Sequence, residues 1–171
     1  MIRMETSWKT KKLKEVCTHI FSGGTPSTKK NNYWNGNFLW LSSGETRNRF
    51  IWNTERKITQ QGADNSSTRL ALKNDVVMAI AGQGFTRGQT SLCMVDTYIN
   101  QSVIALRPKK RELDPKYLLY YLQSKYEYLR LLSDSSSSRG SITCPMLGDL
   151  DILLPPIEVQ EKISSVIYNY D

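Results

Sequence analysis

The chain has 171 residues, 39% of them hydrophobic and spread along its length, a formal charge of +7 and a sequence pI near 9.3. This suits one globular domain with its own core and a polyanionic partner, and excludes a disordered chain. Three well-separated cysteines, no CxxC pair and a single histidine exclude a zinc site and a disulfide framework, so a reducing cytoplasm is expected; no run is apolar or long enough for a signal peptide or a membrane span.

The charge is unevenly placed: residues 1–57 carry 11 Lys/Arg against 4 Asp/Glu, while residues 131–171 carry 2 against 6. In chain order, "KKLKEVCTHI" sets Leu13, Val16, Cys17 and Ile20 at helical spacing and predicts a short helix, broken by "FSGGTPST". "FLWLSS", Phe38 to Ser43, reads as a strand, and "GETRNRFIWNTER" as a basic loop. Trp34, Trp40 and Trp52 read as core or loop anchors. "ITQQGADNSS" predicts a short helix with Thr59 near its start. The apolar run Val76 to Ala81 predicts a strand buried on both faces, followed by the glycine-rich "GQGFTRGQT". "TSLCMVD" and "NQSVIALRP" read as two further strands with a turn near 96–100. "LDPKYLLYYLQSKYEYLRLL" predicts one long helix, with Asp114 as its cap, Pro115 at its first position and an apolar stripe of Leu118, Tyr121, Leu122, Leu129 and Leu132. "SDSSSSRGS" is a loop. "DLDILLPP" is a strand stopped by two prolines, and a last helix starts at Ile157, with a stripe of Ile163, Val166, Ile167 and Tyr170 that either folds back or pairs with another helix.

The glycine loop raises the question of a bound nucleotide, and its spacing answers against one. Gly82, Gly84 and Gly88 give GxGxxxG, and the segment after them is strand-like, so the helix N-terminus that would hold a pyrophosphate is missing. No GK[ST] ends the loop. Neither Phe21-Ser22-Gly23-Gly24 nor Leu154-Pro155-Pro156-Ile157 fits the glycine and Pro-Pro motifs of amino-group methyltransferases, and His19 lies near no nucleophile motif.

What remains suits a reader of nucleic acid. Lys29, Lys30, Arg47 and Arg49 are candidate phosphate contacts, and Thr25, Ser27, Ser42, Ser43 and Thr86 are uncharged donors to the same groups. Gln83 and Arg87 can each make bidentate bonds to base edges, and Arg87 has little structural purpose in a loop between Thr86 and Gly88. Arg139, in the serine-rich loop, is a further DNA-binding candidate.

"FSGGTPSTKKNNYWNGNFLWLSSGE" resembles the opening of a target recognition domain of type I restriction–modification DNA specificity subunits. "DVVMAIAGQGFTRGQTSLCMVDTYINQSVIAL" is similar to that family's strand–glycine loop–strand section, with its Asn100-Gln101 pair. "YLLYYLQS" resembles its following helix, and "RGSITCPMLGDLDILLPPIEVQEKISSVI" its exit segment. Here Val159-Gln160 keeps only the glutamine of the usual acidic-Gln pair.

The resemblance implies an α+β (mixed α/β) fold: a twisted, largely antiparallel or mixed sheet with peripheral helices. Residues 1–156 would form the recognition domain, and 157–171 the beginning of a spacer helix of coiled-coil type. It implies a non-catalytic, cofactor-free reader of one half of a bipartite double-stranded DNA target. Its partners would be DNA methyltransferase (modification) subunits and a restriction or motor subunit, with weak self-association through the last helix and no membrane. One domain and about 15 residues of one helix would amount to half of a specificity subunit. A protein-interaction fragment that docks on modification subunits, or an enzyme with an unrecognised site, are the rival readings.

Overall fold

The structure, a computed structural model, describes residues 8–82, 84–136 and 140–170. Strand β1 (Lys9–Lys12) and the single-turn helix α1 (Leu13–Val16) lead into β2 (Cys17–Ser22), β3 (Trp34–Leu41), β4 (Phe50–Ile51) and β5 (Arg56–Ile58). Helix α2 (Gln60–Asp64) precedes β6 (Arg69–Ala71), β7 (Val76–Ala79), β8 (Thr90–Cys93), β9 (Thr97–Ile99) and β10 (Val103–Pro108). The last third holds α3 (Pro115–Ser124), α4 (Tyr126–Ser136), α5 (Cys144–Gly148), β11 (Asp151–Leu154) and α6 (Ile157–Tyr170).

Two mixed sheets stack face to face. The central one runs β2-β10-β7-β8-β4, antiparallel except for the β8–β4 pair; the other runs β5-β3-β9-β6, antiparallel except for β3–β9. Side-chain alternation along each strand sorts the apolar residues into three cores. Val77, Cys93, Val103 and Ala105 meet Leu41, Ile99 and Ala71 between the sheets. Val76, Met78, Leu92, Ile104 and Leu106 turn the other way, against Leu118, Leu119, Leu122, Leu129 and Leu147 of the helices. Trp34, Trp40 and Ile58 cover the outer face of the second sheet with Tyr33 and Ala63. β7 is buried along its whole length, as its unbroken apolar run predicts. The mixed α/β architecture with peripheral helices agrees with the expected fold, and among the described residues no helix is long and apolar enough to cross a membrane.

Four expectations need correcting. The first helix stops at Val16, because Cys17 to Ser22 pair with β10 instead; Thr18, Ile20 and Phe21 favour that extended state. Residues 97–99 are not a turn but β9, the strand that carries the chain across into the second sheet and back. The long helix is two, α3 and α4, separated at Lys125; Ser124 Oγ donates to the Tyr121 carbonyl at 2.6 Å, a side-chain bond that competes with the helix ladder. Trp52 is neither core nor anchor, being 64% exposed. Asp114 does cap α3, accepting from Tyr117 N at 2.8 Å with Pro115 at the first position, and Thr59 caps α2.

Helix α6 lies against α3, with its polar side inward. Gln160 and Ser164 are its buried residues, while Val166, Ile167 and Tyr170 are exposed. The apolar stripe therefore folds back only at Ile163, which is half-buried, and leaves Val166, Ile167 and Tyr170 uncovered.

Candidate functional site

Strand register gathers the polar connections at one end of the central sheet. Val103, which opens β10, lies opposite Ala79, which closes β7, and Ile104 lies opposite Ser22, which closes β2. The glycine loop bridges β7 and β8 on that side. Ser91 Oγ, next to Thr90 where the loop enters β8, donates to Asn48 O at 2.6 Å, Asn100 N donates to Leu41 O, and Ile142 N donates to Ile80 O. Segments 23–25, 42–49, 80–82, 84–89, 100–102 and 140–142 thus converge.

Two of these segments, at residues 46–50 and 88–90, border a cleft of about 930 Å³ that is closed by Gln123 of α3, Tyr126 of α4, and Tyr168 and Asn169 of α6. Two of the expected cations, Arg47 and Arg49, belong to it. Arg47 is solvent-facing, donating to Gly44 O at 3.3 Å and pairing with Glu55 at 3.2 Å. The turn that presents it is built around Glu45, a buried carboxylate. Glu45 accepts from Ser42 N, Ser42 Oγ and Glu55 N at 2.8–2.9 Å. The Ser-x-x-Glu spacing of Ser42 and Glu45 is a capping signature readable in the sequence. It commits the Ser42 hydroxyl to that carboxylate. Thr25 Oγ1 likewise donates to the Gln101 side chain.

The expected residues fall into two groups. Thr25, Ser42, Arg47, Arg49, Thr86 and Arg87 share the loop-bearing end. Ser27, Lys29 and Lys30 belong to the turn that packs on the outer aromatic core: Ser27 O accepts from Trp34 Nε1 at 3.1 Å, and Lys30 Nζ donates to Tyr33 Oη at 3.0 Å. Lys29 is exposed there. Gln83 and Arg139 lie outside the described residues.

Arg87 has the structural purpose that sequence reasoning denied it. It is buried, its guanidinium pairs with Asp134 at 2.7 Å and donates to Gly140 O, and its own carbonyl accepts from Arg130 Nη1 at 2.8 Å. Tyr126 Oη donates to Phe85 O at 2.8 Å. Tyr126, Arg130 and Asp134 are four residues apart and so form one stripe of α4 facing the loop. That spacing was visible in the sequence; its target was not. Gly88 adopts φ +93° with the Tyr126 ring where a Cβ would stand, 3.0 Å away, so only glycine fits this seat. With the loop's base tied inward, Phe85 is left 82% exposed at its tip.

Thiol chemistry finds no support here. Burial pushes Cys17 up to about 12, with Asp75 adding to it, and burial raises Cys93 and Cys144 too, so all three are protonated at neutral pH. Among the described residues no three His, Cys, Asp or Glu side chains come together to hold a metal ion.

The family model for the type I restriction modification DNA specificity domain matches residues 5–171. Over 98% of its length the chain is 28% identical to the specificity subunit of the type I restriction enzyme EcoR124I/EcoR124II of Escherichia coli, covering 41% of that protein. Over 99% of its length it is 27% identical to the specificity subunit of the type I restriction enzyme MjaIX of Methanocaldococcus jannaschii, covering 39%. It also superposes on the HsdS subunit from Thermoanaerobacter tengcongensis with a TM-score of 0.72 at 21% identity, over 98% of this chain and 38% of that one. The chain spans about two fifths of the length of these relatives.

Proposed function

Because the chain belongs to the family of type I restriction modification DNA specificity domains, we propose that it reads one half of a bipartite double-stranded DNA target and adds no catalysis of its own. The observation that carries the reading is the convergence of the loops at one end of the central sheet, beside a cleft that bears Arg47 and Arg49 and the end of the glycine loop. Arg47 and Arg49 contact phosphates there, with Lys29 and Lys30 extending the basic surface along the outer turn. Thr86, and Thr25 and Ser42 once released from Gln101 and Glu45, donate to the DNA backbone at the loop-bearing end, while Ser27 does so from the outer turn. The loop from Gln83 to Arg87 meets the bases, Arg139 is a further DNA contact, and Arg87 serves the loop chiefly by fixing its base. In this reading residues 1–156 are the recognition domain and 157–171 begin the spacer helix. The partners are cytoplasmic: modification subunits that bring the methyltransferase chemistry, a restriction or motor subunit, and a second spacer helix.

A pool of duplexes with a randomised centre, selected by the chain alone and mixed with modification subunits, tests this. The expected result is enrichment of one short motif, with affinity falling steeply as salt rises. Recovery of an unenriched pool from both arms would refute it. A second reading, docking on modification subunits without DNA recognition, draws on the exposed Val166, Ile167 and Tyr170 of α6. It predicts capture of those subunits by the chain and no capture after deletion of residues 157–171, with no motif in either case.

A further inference from the structure

Phe85 stands at the tip of the glycine loop with 82% of its surface in water. Burying a large apolar side chain stabilises a fold, and this fold forgoes that gain here. The ring is not loosely carried. Its own carbonyl accepts from Tyr126 Oη at 2.8 Å, and two residues on, Arg87 is buried and paired with Asp134, while its carbonyl accepts from Arg130. Those bonds hold the loop's backbone and leave the ring projecting.

Its setting is a cation-bearing one. Gly88 and Gln89, which follow the loop tip, line the cleft together with Arg47 and Arg49, and Phe85 lies outside that lining, in open solvent three residues before Gly88. Cations there position a phosphate backbone, and position alone carries no sequence information. The loop's own guanidinium, Arg87, is turned inward. The side chain presented outward among the described loop residues is therefore apolar and flat. Apolar rings of this kind, inserted between bases, read a step by the energy of unstacking it. Trp52, also exposed, does not share this setting: it follows β4, whose Ile51 pairs with Cys93 at the far end of β8 from the loop.

We infer that Phe85 is a specificity-determining wedge, whose ring packs into the base stack of the bound duplex and sets the preferred step at that point. The inference rests on the DNA-reading proposal above, and its test separates the two. The full chain and its Phe85→Ala, Phe85→Leu and Phe85→Ser variants each select from the randomised duplex pool. Their affinities are then measured on the motif chosen by the unaltered chain and on an unrelated duplex, across a salt series. Phe85→Ala and Phe85→Ser should bind the motif at least ten-fold more weakly, lose preference at one or two adjacent positions, and keep both the salt slope and the affinity for the unrelated duplex. Phe85→Leu should keep part of the preference. With 2-aminopurine at those positions, fluorescence should rise on binding the unaltered chain and not the Ala variant. A motif chosen by the unaltered chain and kept by Phe85→Ala overturns the wedge and leaves DNA reading intact. Weakening that is equal on both duplexes, or a missing fluorescence rise with the unaltered chain, overturns it too. An unaltered chain that selects no motif, either alone or mixed with modification subunits, overturns both.

Discussion

Two buried polar side chains, Gln160 and Arg87, tie down the exit helix and the glycine loop, and they do so with different completeness. Gln160 is 1% exposed and spends its whole amide on the backbone: Oε1 accepts from Asp114 N at 3.0 Å, and Nε2 donates to Glu112 O and Pro155 O at 3.0 and 2.9 Å. Ser164, one turn on, donates to Asp114 at 3.0 Å and doubles the tie. Arg87 is also buried, but one partner is a carboxylate with a 58% exposed side chain, another is a single carbonyl, and its Nε has no hydrogen-bond partner among the described residues. A neutral pin with every donor and acceptor used fixes a direction. A charged pin with an exposed counter-ion and one donor left over holds a loop more lightly, and segments that meet ligands come from the lightly held end of a structure.

Breaking the complete pin should have the larger effect. Gln160→Ala strands one amide N–H and two carbonyls beside the α3 cap, at a cost of about 3 kcal/mol. For a chain of this size that lowers the thermal midpoint by roughly 6–12 °C. Denaturant unfolding of the two proteins, side by side, measures it. A loss under about 1 kcal/mol would show that water replaces the amide and that α6 is held by other contacts.

The incomplete pin allows a sharper experiment, because it can be released from three sides. Arg87→Ala, Asp134→Ala and Gly140→Ala should each lower stability by about 1–2 kcal/mol. In the last, a Cβ would meet the Arg87 guanidinium in a backbone at φ +55°. If Arg87 acts by seating the loop, all three blur the selected DNA motif alike. If Arg87 reads a base directly, only Arg87→Ala erases a position while Asp134→Ala leaves the motif sharp. A double-mutant cycle on Arg87 and Asp134 should return a coupling near 1 kcal/mol, and zero coupling would remove the pin altogether.

The same contrast explains what the sequence disclosed. Elements set by local chemistry were legible: the Asp114 and Thr59 caps, the buried run of β7, and the strand after the glycine loop that excluded a nucleotide. Residues whose meaning depends on distant partners were misread. Arg87 looked free because Asp134 and Gly140 lie about 50 positions away, and Gln160, noted only as half of an acidic-Gln pair, was given no structural role because Glu112 and Asp114 are equally remote in sequence. The apolar stripe of α6 was read correctly as a pattern, yet the domain buries its polar neighbours instead. The convergence of Arg47 with the glycine loop had no local signal at all, since it comes from the parallel pairing of β4 with β8.

That convergence supplies the smallest and most selective prediction. Arg47 and Glu55 form an ion pair whose side chains are 62% and 66% exposed, so Glu55→Gln should change stability by no more than about 0.5 kcal/mol. Its effect on DNA should be visible all the same. If Arg47 contacts a phosphate as proposed, the carboxylate competes for its guanidinium, and removing it should strengthen binding to any duplex about two- to five-fold at low salt. Screening should erase the gain near 1 M, where the Debye length falls to about 3 Å. Arg47→Ala should do the opposite and flatten the salt slope by about one. Because neither change reaches the loop tip, the selected motif should be the same in all three proteins. If Glu55→Gln shifted the motif without shifting affinity, Arg47 would belong with the base-reading loop and not with the phosphate-facing wall of the cleft.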